Sequence, residues 1–298
     1  MKKIPVILDT DIGGDIDDTW ALAMLLKSPE LDLKLVVTDT GNTTYRAKVA
    51  ARMLEAGGRA DVPIGVGIPF GEGTGPQEPW VVDYDLDAYP GPVLEDGVGA
   101  LIDTIMGAEE PVTLICIGPV PNIAAALERE PRIAERARFV GMHGSIRRGY
   151  GGSAQVSAEA NVKNHTSACQ RVFRAPWEVT ITPLDTCGLV HLEGEKYQAV
   201  RDCPDPLIQA LMENYRIWAP RVPWADGFDP EVASSTLFDT VAVYLAFSED
   251  LLVMEELGIR VTDDGYTVVD EEARTVRCAT AWKDLPAFED LLVRRLTL

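Results

Sequence analysis

Residues 9 to 18 read Asp-Thr-Asp-Ile-Gly-Gly-Asp-Ile-Asp-Asp, five carboxylates within ten residues. At that density the acids repel one another unless a cation, or donors such as the free N–H groups of a helix start, offset the charge. The segment contains no His or Cys, and an all-oxygen donor set suits a hard ion, Ca2+ or Mg2+. A solvated acidic turn capping a helix is the plain alternative. Five acids around a Gly-Gly pair, directly after the apolar run Ile4 to Leu8, favour the ion. An EF-hand does not fit, because its loop needs an acid at the twelfth position; counting from Asp9 or Asp11, that place holds Trp20 or Leu22.

The elements that must position this cluster follow an alternating pattern. Apolar runs at 4–8, 33–38, 62–66, 112–117, 138–141 and 178–181 read as buried strands, and segments of helical period at 19–27, 46–56, 98–106, from 122 and at 166–174 lie between them. This predicts an α/β fold: an open, mostly parallel sheet with helices on both faces, in a single domain over 1–298. Ligands in such sheets bind beyond the carboxyl ends of the strands, which is where the acidic run lies. A Gly- and Pro-rich passage, 69–92, carries Trp80, Tyr84 and Tyr89 and reads as a packed flap. After about residue 193 the pattern turns mainly helical, with a hairpin-like segment around Asp263-Asp264-Gly265 and a final helix near 286–294.

Composition sets the outer limits. The chain has 298 residues, 46% of them hydrophobic, with 47 Asp and Glu against 27 Lys and Arg for a net charge of -20. Such a chain buries a large core, and its acidity argues against nucleic acid or an anionic membrane surface as partner. Cysteines 116, 169, 187, 203 and 278 show no zinc or disulfide spacing, and they read as reduced thiols of a cytoplasmic protein. The apolar stretch after Lys2-Lys3 is too short for a signal peptide, and no run is long enough to span a bilayer.

Two enzyme families place acids after a first strand in this way. Asp9-Thr10-Asp11 fits half the pattern of a haloacid-dehalogenase-like phosphatase, with Asp9 as nucleophile and Mg2+ beside it, but Gly13 stands where those enzymes usually carry Thr or Val. The whole run resembles more closely the N-terminal signature of the inosine/uridine-preferring nucleoside hydrolases, with a slightly lengthened loop. Further matching segments follow in order: Thr40-Gly41-Asn42, Gly118 to Ala124 (GPVPNIA), Met142-His143-Gly144, Glu159-Ala160-Asn161 and Leu237 to Ala242 (LFDTVA).

The resemblance implies hydrolysis of the N-glycosidic bond of ribonucleosides to ribose and free base, with one Ca2+ per chain, in a homodimer or homotetramer. It implies Asp11 as metal ligand and general base, with Asp18, Asp239 and the carbonyl of Ile117 completing the metal set. Asp17, Asn42 and Asn161 would bind the ribose hydroxyls, Glu159 the 5'-hydroxyl, and Met142 would pack on the sugar. The chain departs from the family where many members carry a His for the leaving base: that position is Phe238, which with Trp218 and Trp224 is a candidate for stacking on a base. His165-Thr166 replaces an Asp-Pro pair common among relatives, and roles for Asp9, Asp15, His143 and His165 do not follow from the resemblance. A homologue that binds ribosides without turnover is the third reading.

Overall fold

The computed structural model describes residues 2–223 and 229–298. In chain order the strands are β1 Ile4–Thr10, β2 Leu31–Thr38, β3 Ile64–Val66, β4 Val93–Leu94, β5 Val112–Cys116, β6 Ala137–Met142, β7 Val179–Thr182, β8 Leu252–Val261, β9 Thr267–Val269 and β10 Thr275–Trp282. They form one sheet in the order β4-β3-β2-β1-β5-β6-β7-β10-β8-β9. Pairing is parallel from β4 through β7 to β10, and only the β10–β8 and β8–β9 pairs are antiparallel. The open, mostly parallel sheet read from the sequence is therefore observed, and the hairpin around Asp264 is the β8–β9 turn.

Helices cover both faces: α1 Asp17–Leu26, α2 Thr43–Ala56, α3 Glu78–Val81, α4 Gly97–Gly107, α5 Pro121–Arg129, α6 Ala160–Asn164, α7 Thr166–Arg174, α8 Gly194–Arg201, α9 Pro206–Trp218, α10 Thr240–Leu245 and α11 Leu285–Thr297. The period-2 geometry of a strand divides β1 between two cores. Val6 and Leu8 join a cluster with residues of α1, α2, α8, α9, α10 and α11, while Ile7 joins one with residues of α4, α5 and α7. Because both faces are covered, β1 is a continuous apolar run rather than an alternating one. Helix α1 is buried from Asp17 to Leu25 and packs against α2, α9, α10 and α11; its sequence, TWALAMLL after the two acids, is apolar all round, as a helix enclosed on every side requires.

The chain runs outward from β1 through β2 and β3 to β4, then returns across the sheet to lay β5 on the other side of β1. That reversal opens a crevice at the carboxyl ends of β1 and β5. Asn122, in the first turn of α5, laces its floor. Its Nδ2 donates to Asp9 Oδ2 (2.8 Å) and to the Thr38 carbonyl (3.1 Å), and its Oδ1 accepts from the Ile68 N–H (2.8 Å). One buried amide thus ties the ends of β1 and β2 to the chain that leaves β3. Within the segment 69–92, Gln77, Trp80 and Tyr89 are buried, while residues 69–74 are exposed. Among the described residues no helix is long and apolar enough to cross a membrane.

Asn122→Ala strips two buried polar groups and one partly buried one of their partner at once and should cost about 2–4 kcal/mol of stability. Guanidinium unfolding checks this, and a loss under about 0.5 kcal/mol would remove Asn122 from the framework.

Candidate active site

The acidic loop between β1 and α1 is held by side chains from elsewhere. Four successive carbonyls each receive one donor: Ile12 from Arg46 Nη1 (2.9 Å), Gly13 from the Tyr45 hydroxyl (2.9 Å), Gly14 from Trp218 Nε1 (3.0 Å) and Asp15 from Gln77 Nε2 (2.8 Å). Asn214 Nδ2 in turn donates to Gln77 Oε1 (2.6 Å). Inside the loop the Thr10 hydroxyl accepts from the Ile12 N–H and donates to Asp18 Oδ1. Helix α1 has no side-chain cap, so its free N–H groups and positive dipole end face its own first-turn acids, Asp17 and Asp18.

Beyond the loop, Asp17, Asp18 and Asp239 each bring a ligand oxygen within 4.8 Å of the others, and all three residues are buried. Burial is the main force driving their carboxyls well above the usual range, with neighbouring acids adding to it: Asp15 and Asp18 on Asp17, Asp11 on Asp18, Asp17 on Asp239. Three ionised groups cannot share that space without a cation. Oxygen-only donors at this spacing fit a hard divalent ion, whose ligand distances of about 2.3–2.6 Å for Ca2+ allow one ion to touch all three.

This grouping overlaps the set implied by the resemblance at Asp18 and Asp239 but contains Asp17 in place of Asp11. Asp11 stands beside it, with Oδ2 3.7 Å from Arg46 Nη2; burial raises its carboxyl and Arg46 opposes the rise. The Ile117 carbonyl accepts from Asn161 Nδ2 at 3.0 Å, and the same nitrogen reaches the Met142 carbonyl (3.0 Å) and sulfur (3.4 Å). Asn161, Met142 and Ile117 therefore form one connected patch at the ends of β5 and β6.

Two residues with proposed sugar contacts also close helices. Asn42 Oδ1 caps α2 by accepting from the Tyr45 N–H (2.9 Å), and its Nδ2 donates to the Glu72 carbonyl (3.3 Å). Glu159 caps α6 by accepting from the N–H groups of Asn161 (2.7 Å) and Val162 (3.2 Å), and it also accepts from Gly144 (3.0 Å). Burial outweighs those donors and pushes its carboxyl up to about 7.

On the remaining side Phe238 is partly buried and meets Tyr150 edge-on, ring centres 6.1 Å apart. Trp218 does not stack at the site: it is fully buried, packed on Tyr215, with its indole N–H committed to the loop. Trp224 lies outside the described residues. His143 is buried between Phe139 and Phe173, and loss of water drives its ring down to about 3. His165 opens α7 and meets Phe70 edge-on at 5.0 Å. Asp9 is fully buried, with Oδ2 accepting from Asn122 and its carboxyl pushed by burial up to about 7; it lies under the crevice, where a phosphatase nucleophile would be out of reach.

Two participants were not singled out from the sequence. Asp39, fully buried just after β2, is raised by burial and then by Asp9 and Asp11; a charged residue at a strand's carboxyl end, one place before Thr40-Gly41-Asn42, was the available signal. Arg46 is a buried cation in the first turns of α2, which the helical period alone leaves indistinguishable from a surface arginine.

The chain matches the inosine-uridine preferring nucleoside hydrolase family over residues 6–290. A non-specific ribonucleoside hydrolase, RihC, of Klebsiella pneumoniae subsp. pneumoniae is 31% identical over 227 residues, covering 72% of this chain and 73% of the relative. The RihC of Salmonella agona is 30% identical over 298 residues, 94% and 92% of the two chains. Among solved structures, the plant nucleoside hydrolase PpNRh1 superposes with a TM-score of 0.81 over 99% of each chain at 23% identity, a likeness that speaks for the fold. With the match over residues 6–290, the relatives and the acidic crevice in agreement, this chain belongs to the inosine-uridine preferring nucleoside hydrolase family.

Proposed function

We propose that this hydrolase of N-glycosyl bonds cleaves ribonucleosides to ribose and free base in a Ca2+-dependent reaction, with Asp11 as general base. The observation that carries the reading is the buried trio Asp17, Asp18 and Asp239 at the carboxyl end of β1, with Asp11 at its edge. Asp17, Asp18 and Asp239 would hold the ion, with the Ile117 carbonyl and Asp11 as further oxygens. When bound, the ion lowers the pKa of a neighbouring water and orients the ribose diol.

The chain's own groups do the rest. The ribosyl centre becomes cationic as the bond to the base breaks, and the fixed carboxylates of the crevice stabilise that charge. Asp11 takes the proton of the attacking water, for which its partly exposed carboxyl is better placed than the buried Asp9. Asn161, held by Met142 and Ile117, orients the sugar, and Glu159, with Oε2 filled by two N–H donors, keeps an acceptor site on Oε1 for the 5'-hydroxyl, which disfavours a 5'-phosphate. Asn42, whose Oδ1 caps α2, would offer the ribose its remaining lone pair and second amide hydrogen. Phe238 and Tyr150 offer aromatic edges on which a nucleobase can pack. In cellular terms the reading is a cytoplasmic salvage enzyme that works as a homodimer or homotetramer.

Ribose release from a panel of purine and pyrimidine nucleosides tests the reading. The wild type should be active, EDTA should abolish activity and Ca2+ should restore it, while Asp11→Asn should lower kcat by about 10²- to 10⁴-fold. Nucleoside binding without turnover would favour the non-catalytic reading, and EDTA-resistant turnover would sink the metal.

Linkage gives a second check. Asp9 and Glu159 reach about 7 in the folded protein against roughly 4 unfolded, and the carboxyls of Asp11, Asp17, Asp18, Asp39 and Asp239 move the same way. The folded state then holds protons that the unfolded chain has released. The stability these groups contribute is present below about pH 4 and lost as pH rises through about 7. His143, driven down, acts oppositely, and its penalty grows as pH falls below about 6.5. Ca2+ displaces protons from the acids alone, so the rise in Tm on adding Ca2+ should be larger at about pH 7.5 than at about pH 5. Equal rises at both values would contradict a carboxylate site.

A further inference from the structure

A guanidinium is seldom buried without partners that offset its loss of water. Arg46 is only 9% exposed, and its three nitrogens reach three different places. Nε donates to the Thr40 carbonyl (2.6 Å), Nη1 to the Ile12 carbonyl (2.9 Å), and Nη2 lies 3.7 Å from Asp11 Oδ2. The backbone is shaped around it. Thr40 adopts φ +54°, a left-handed conformation rare for a β-branched residue, and the next residue, Gly41, has φ +63°. A Cβ on Gly41 would lie 3.2 Å from Nη2, so the chain there passes close against the guanidinium. Strain of this kind persists only where the surroundings over-determine it and concentrates at functional sites.

The two short contacts fix the plane of the guanidinium, and the long one acts on Asp11. At 3.7 Å the pair attracts by charge without filling the lone pairs of the carboxylate. Asp11 is thereby held in direction while its oxygens stay available to water and to an ion. Lys, a single point charge, cannot reproduce two fixed carbonyl contacts and a third directed charge.

We propose that Arg46 is the positioning residue for Asp11: anchored on the Thr40 and Ile12 carbonyls, its guanidinium fixes the direction of the Asp11 carboxylate in the crevice. The proposal rests on the reading of Asp11 as general base, and it extends that reading to a residue that touches neither substrate nor ion.

A double-mutant cycle tests it, with Arg46→Met, Asp11→Asn and the pair, measured for kcat and KM of ribose release and for Ca2+ affinity by calorimetry of the metal-stripped proteins. Arg46→Met should lower kcat by about 10- to 100-fold, the range for removing a group that orients an active-site ligand, with KM little changed. The double variant should be no slower than Asp11→Asn alone, because Arg46 acts through Asp11. Added guanidinium ion should raise kcat of Arg46→Met and leave the wild type unaffected, which a purely structural role would not produce. Losses that add in the double variant, or a folded Arg46→Met with wild-type kcat, would overturn the proposal. If Arg46→Met fails to fold, Arg46→Lys carries the cycle, with the same non-additive loss expected and additive losses overturning it. A wild type without turnover would defeat the reading of Asp11 as base; the Ca2+ titrations would still decide Arg46, non-additive loss of affinity supporting it and additive or absent loss overturning it.

Discussion

Asp9, Asp17, Asp18, Asp39 and Asp239 lie out of water around one crevice, and burial is the largest force on every one of their carboxyls. Charge repulsion among the acids adds to that force, while hydrogen bonds from Asp39 to Asp9 and from Asp239 to Asp17 partly offset it. The surrounding structure is arranged against that repulsion. Helix α1 begins at the cluster with its N–H groups uncapped, Asn122 donates to Asp9, Thr10 donates to Asp18, and Arg46 stands beside Asp11. Donors on α2, on α9 and ahead of α3 take the loop carbonyls and pin the backbone that carries the acids. A concentration of negative charge that would open an ordinary loop is thereby kept closed.

The parallel half of the fold was legible because its strands are buried on both faces and therefore appear as unbroken apolar runs; β1, β2, β5, β6 and β7 lie within a few residues of the expected places. The tail was less legible. Strands β8 and β10 mix exposed and buried residues and pair antiparallel at the end of the sheet, where half-exposed strands are weakly distinguished from the helices that precede them. Within the crevice the sequence located the acidic cluster but not its internal geometry. Whether Asp11 or Asp17 sits with Asp18 and Asp239 depends on how the loop enters α1, and the donors that decide it, Tyr45, Arg46, Gln77 and Trp218, come from distant segments. Trp218 was legible as an aromatic near the site in sequence; its indole N–H was not legible as a loop anchor.

Asn42 and Glu159 illustrate a tension in building sites at helix starts. Side chains suited to bind hydroxyl groups are also the ones that cap helices, and both residues do the second task in this structure. On the aromatic side Phe238 meets Tyr150 and Phe70 meets His165.

The contact between the flap and the acidic loop bears on how such a protein changes over generations. A Cβ on Gly75 would lie 2.1 Å from the Gly13 carbonyl oxygen, and Gln77 reaches back across 62 residues to the carbonyl of Asp15. The acidic loop and the segment 75–77 are therefore a lock cut together with its key. An insertion or deletion accepted in one leaves the other with a clash or an orphaned donor, so variation at residues 13–15 is expected to be inherited jointly with variation at residues 75–77, in lineages where either is altered.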